Sequence, residues 1–101
     1  MTKEKKESIL ERIALIIDTM MGISGMSYPE CYNLLSKTNV YRCLIEEDFA
    51  TLYDSPEALL VEIDKELQKA NHLLGGRFSE NAIKAYLLSL RKQNLSLQGK
   101  V

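Results

Sequence analysis

The chain has 101 residues, 46% of them hydrophobic and 27% charged, which supports one globular domain and argues against wholesale disorder. Thirteen Lys and Arg against 14 Asp and Glu leave a net charge of −1, so the chain is not coated in basic residues for non-specific nucleic-acid binding. The apolar run from Ile13 to Ile17, closed by Asp18, falls far short of the ~20 residues that a membrane-spanning helix needs.

The start of the chain is hydrophilic and has no small-residue cleavage site, so no signal peptide is expected. The expected location is the cytoplasm. Cys31 and Cys43 would be reduced there, each acting as a small buried hydrophobe within an apolar helical pattern.

Apolar positions recur at helical spacing and nowhere alternate with period two. In the first segment Ile9, Leu10, Ile13, Ile16, Ile17, Met20 and Met21 form one wide stripe, with Glu7, Glu11, Arg12 and Asp18 pointing away. Gly22 and Gly25 bracket the turn that follows. Ser27-Tyr28-Pro29-Glu30 is a helix start, with Ser27 as cap, Glu30 positioned to reach back to it, and Pro29 in the first turn. This second helix presents Cys31, Leu34 and Leu35 and ends near Lys37 to Asn39. A short third one carries Val40, Tyr41, Cys43 and Leu44. Phe49, Leu52 and Tyr53 continue the spacing, interrupted by Glu46-Glu47-Asp48.

Ser55 and Pro56 start the next helix, in which Leu59, Leu60, Ile63, Leu67, Ala70 and Leu74 line one face until Gly75-Gly76 stops it. The last helix starts after Ser79 and buries Ala82, Ile83, Tyr86, Leu87 and Leu90. Past Lys92 the pattern decays, and a frayed tail is expected over 93–101. The fold class is all-α, a compact bundle of four to five helices forming a single domain.

The near-zero net charge hides an uneven distribution. From Leu44 to Leu67 eight acids face Lys65 alone, a local sum of −7, and from Lys69 to Val101 the sum is +5. Charge on solvated faces and at helix ends accounts for much of this. The alternative is a docking face for a basic protein, with Glu46, Glu47, Asp48, Asp54 and Glu57 as contacts and Tyr53 as an aromatic anchor. Tyr28, Tyr32 and Tyr41 are assigned to the core in preference to an interface.

Chemical machinery is sparse. His72 is the only histidine, neither CxxC nor HExxH occurs, and the Cys31–Cys43 spacing matches no zinc site. Gly75-Gly76-Arg77 lacks the spacing and the Lys of a phosphate-binding loop. No catalytic residue, cofactor or metal is expected. A helix-turn-helix is sketched by the turn at Gly25 and a reading helix from Pro29 to Lys37. That helix supplies only Tyr32, Asn33 and Lys37 for base or phosphate contacts, so DNA is the secondary expectation.

The stretch Tyr32-Asn33-Leu34-Leu35-Ser36-Lys37-Thr38-Asn39-Val40, followed by Leu44-Ile45-Glu46-Glu47-Asp48-Phe49, Leu52-Tyr53 and Glu62-Ile63, resembles a family of short bacterial helical domains of unassigned function. In that family a Tyr-x-Leu-Leu-x-x-Thr-Gly helix end precedes a Leu-Ile-x-x-Tyr-x-x-Leu-His segment and a closing helix. The likeness covers residues 9–67, and much of it is helical core pattern. Asn39 stands where the family has Gly, and Phe49 and Tyr53 stand at its Tyr and His positions. Family members are often encoded beside a predicted ADP-ribosyltransferase-like protein, in an arrangement like a toxin–antitoxin pair. The resemblance thus implies an accessory or antitoxin role. The function expected is a non-catalytic module that docks an acidic helical face on a basic protein, with homodimerisation through a leftover apolar stripe on the first or last helix.

Overall fold

Side chains that accept the first free backbone N–H groups decide where these helices begin. Ser27 Oγ accepts from Glu30 N at 3.4 Å, Thr38 Oγ1 from Tyr41 N at 3.2 Å, Ser55 Oγ from Ala58 N at 3.1 Å and Ser79 Oγ from Ala82 N at 3.3 Å. In the computed structural model, which describes residues 3–46 and 55–98, they open four of five helices. These are α1 (Lys3–Ser24), α2 (Tyr28–Ser36), α3 (Asn39–Ile45), α4 (Pro56–Lys69) and α5 (Glu80–Gln98). No strand occurs among the described residues. The Ser27 box closes differently from the expected pattern, its hydroxyl donating to Glu30 Oε1 at 3.0 Å.

The core is the inward face of every helix. α1 packs on α2, α4 and α5, α3 on α2 and α4, and α4 on α5. Ile9, Ile13, Ile16, Ile17 and Met20 of α1 meet Cys31 and Leu35 of α2, Val40 and Leu44 of α3, and Leu59, Leu60, Ile63 and Leu67 of α4. Cys31 is buried and Cys43 half-buried, and both are free thiols. Burial pushes the Cys31 thiol above its ordinary value of 9.0, an effect the Ser24 hydroxyl partly offsets.

Several expectations are corrected. Leu10 lies outside the stripe of α1, 55% exposed, because it falls on the solvent edge of a helix whose other side already meets three partners. Gly22 lies inside α1, where Tyr86 of α5 crosses so closely that a β-carbon would land in its ring. The chain turns instead at Gly25, with φ +76°.

α4 stops at Lys69, short of Leu74 and of the two glycines. Asn71 takes the left-handed conformation at φ 54°, and the amides of His72 and Asn71 bond Leu67 O and Gln68 O at 2.9 and 3.1 Å. This is a Schellman closure, which leaves Ala70 exposed and Leu74 half-buried in the loop.

Phe78, fully buried, fixes the entry to α5. It precedes the Ser79 cap, with buried Ile83 at the facing position one turn in, the pairing of a hydrophobic staple. Of the five residues expected to be buried on α5 only Ile83 is. Ala82 and Tyr86 are half-buried, and Leu87 and Leu90 are 37% and 38% exposed; among the described residues α5 packs chiefly on α1 and α4. The backbone stays helical to Gln98, beyond Lys92 where the apolar pattern decays and fraying is expected.

Candidate functional site

The acidic stretch divides into internal and external carboxylates. Asp64 is 1% exposed, and its Oδ1 accepts from Gly76 N at 2.8 Å and Phe78 N at 3.0 Å. Gln68 Nε2 donates to its Oδ2 at 2.6 Å. Glu66, half-buried, takes Asn39 N on Oε1 at 2.8 Å and Val40 N on Oε2 at 3.3 Å, and so caps α3 from α4. These two charges hold loops and helix ends and are not part of an outward acidic face.

Of the expected contacts, Glu46 is exposed at the C-cap of α3 and Glu57 is exposed in the first turn of α4. Glu47, Asp48, Tyr53 and Asp54 lie outside the described residues. Within the acidic stretch the remaining described outward acid is Glu62, paired with Lys65 at 3.1 Å, and beyond it Glu80 pairs with Lys84 at 3.0 Å. Both pairs are solvated and contribute little to stability.

Glu57, Glu62 and Glu80 rim an open groove of about 470 Å³ between α4 and α5, together with Lys84. Ala58, Val61, Ile83 and Leu87 form its apolar lining. α4 points its core residues at α1 and α3, and the small side chain at Ala58 leaves a depression on its far side. Leu87, 37% exposed, borders the depression from α5. Chemically the groove offers an apolar slot within a ring of three carboxylates and one ammonium.

A second cleft, about 500 Å³, opens between α2 and the end of α4, with Leu34, Leu67 and Leu74 beneath Glu30, Lys37 and His72. His72 Nδ1 accepts from Leu74 N at 3.0 Å, so the ring carries its proton on Nε2. Glu66 and Thr38 also line this cleft, but their polar atoms already hold the start of α3. Among the described residues no group of three His, Cys, Asp or Glu side chains is arranged to hold a metal ion.

Of the three tyrosines expected in the core, only Tyr41 packs against it. Tyr28 and Tyr32 are exposed and Tyr41 is half-buried, since α2 turns only Cys31 and Leu35 fully inward. Tyr32 and Tyr41 share a hydroxyl–hydroxyl bond of 2.9 Å with their rings edge-to-face at 6.0 Å. The bond with Tyr32, and then burial, raise the Tyr41 phenol above its ordinary value of 10.0. The reading helix expected over Pro29–Lys37 is α2, with Glu30 in its first turn and Lys37, at the C-cap, as the sole cation of that span.

What sequence reasoning missed was the groove and the Asp64 clamp. A signal for the clamp was present, since Asp64 falls within the spacing of Leu60, Ile63 and Leu67. No described helix is long and apolar enough to cross a membrane. Comparison with protein-family models, curated proteins and solved structures finds no match to the chain.

Proposed function

We propose that this protein is a non-catalytic interaction module that takes a basic, apolar-anchored segment of a partner protein in the α4–α5 groove. The observation that carries the reading is the groove itself, an apolar slot whose rim sets Glu57, Glu62 and Glu80 against Lys84 and is acidic on balance. Apolar contact supplies affinity there, and the carboxylates select cationic partners and speed their encounter. An amphipathic helix with one Lys- or Arg-bordered apolar stripe has the matching chemistry. Glu46 and Glu57 belong to the same acidic surface in this proposal, and the resemblance to helical domains encoded beside toxin-like proteins makes a toxin the proposed partner.

The test uses two designed amphipathic peptides, one of Leu and Lys and the other of Leu and Glu, titrated into isotopically labelled protein. Backbone amide shifts are expected around Ala58, Val61, Ile83 and Leu87 with the Leu/Lys peptide alone. Affinity should fall as salt rises to physiological strength. Shifts of equal size with both peptides, or shifts away from α4 and α5, would defeat the proposal.

A further inference from the structure

Leu73 is 97% exposed at the tip of the loop between α4 and α5. That loop is a built structure. Of the nine backbone N–H groups from Ala70 to Phe78, all but that of Leu73 have an acceptor within the protein. Asp64 ties down one end, the closure at Asn71 the other, and His72 braces the tip through Leu74 N. The loop backbone therefore presents a large apolar side chain to water. A contact made through such a tip costs little further ordering entropy.

Along the loop itself the charge is positive, the nearest carboxylate being that of buried Asp64 beneath it. From Leu67 to Ser79 the chain carries Lys69 and Arg77 and no acid. Lys69 and Arg77 are both exposed, as is His72. An apolar anchor with cations beside it is the chemistry that the carboxylate-ringed groove accepts, and the groove has ample volume for a leucine side chain. One molecule thus displays both halves of a complementary contact.

We infer that the Leu73 loop of one copy seats in the α4–α5 groove of a second copy, so that the chain self-associates and the seated loop competes with a basic partner for the groove. The inference rests on the groove reading above. Lys69 and Arg77 face the carboxylate rim, and Leu73 meets Val61 and Leu87. Two such contacts made reciprocally close a dimer, and one made head to tail propagates.

Two substitutions separate the halves without touching the core. Leu73→Asp removes the anchor, and Ala58→Arg fills the groove from an exposed position on α4. In sedimentation equilibrium at low salt the parent chain is expected to self-associate, and each variant alone to do so about tenfold more weakly or worse. An equimolar mixture of the two is expected to form a mixed dimer, because it restores one intact anchor facing one intact groove. Circular dichroism and thermal melts of both variants matching the parent would show that the losses are not unfolding. A parent chain that stays monomeric at low salt overturns the inference, as does a mixture that associates no better than its components. Titrating the Leu/Lys peptide into the Leu73→Asp variant reports on the groove separately. Binding there beside a monomeric parent would end self-association and leave the groove reading standing.

Discussion

Asp64 is a carboxylate at a core position of an otherwise apolar helix face, and its surroundings show why it is there. Two backbone N–H groups of the loop before α5, those of part-buried Gly76 and fully buried Phe78, have the Asp64 carboxylate as their acceptor. Gly76 reaches that position at φ +94°, a conformation that side chains rarely adopt. Truncating Asp64→Ala leaves both amides without an acceptor. The expected cost is about 2–4 kcal/mol in urea unfolding, with Asp64→Asn much milder because its carbonyl oxygen can still accept. An Asp64→Ala variant within about 0.5 kcal/mol of the parent would show that water replaces the carboxylate. The residue was legible only in part. Summing charges along the chain treats every acid as external, and only the place of Asp64 between Leu60, Ile63 and Leu67 marks it as internal.

Helix starts are far more legible than helix ends and helix neighbours. Ser27, Ser55 and Ser79 each act within three residues of themselves, so their effect can be read locally. The end of α4 is different. Gly75-Gly76 is the stronger stop by composition, yet Asn71 takes the left-handed position first. Periodicity groups residues on a face and says nothing about which face finds a neighbour. On α5 the grouping of Ile83, Tyr86, Leu87 and Leu90 is right, but among the described residues the helix packs chiefly on α1 and α4, and the stripe is left half open. That opening is what makes the groove. One contact between α5 and α1 depends on Gly22, whose missing side chain admits the Tyr86 ring. Gly22→Ala should therefore destabilise by about 1–3 kcal/mol, although alanine is the better helix former. In a Tyr86→Ala background the same change should become neutral or stabilising. A penalty of equal size in both backgrounds, measured by denaturant unfolding, would place the strain elsewhere.

At the scale of the whole molecule, the acidic residues divide between inward and outward positions. The carboxylates facing inward close a loop and cap α3, whereas Glu57, Glu62 and Glu80 lie on the rim of the apolar slot. The resolved shifts in ionisation point instead to the alkaline side. Burial raises the Cys31 thiol above 9.0, and the bond with Tyr32 raises the Tyr41 phenol above 10.0. In each case the folded chain holds a proton that the unfolded chain releases more readily. Their contribution is complete below the unfolded values and is lost as pH climbs through the raised folded ones. Thermal midpoints should thus change little on these groups' account up to pH ~8.5 and decline above ~9, at no more than about 1.4 kcal/mol per pH unit from the thiol alone. Cys31→Ala lowers stability at every pH because Cys31 is fully buried, but it should flatten the part of the decline that begins nearest 9. A decline with the same slope in parent and Cys31→Ala chains would show that the thiol ionises no differently when folded, and that the alkaline limb belongs to the tyrosine pair.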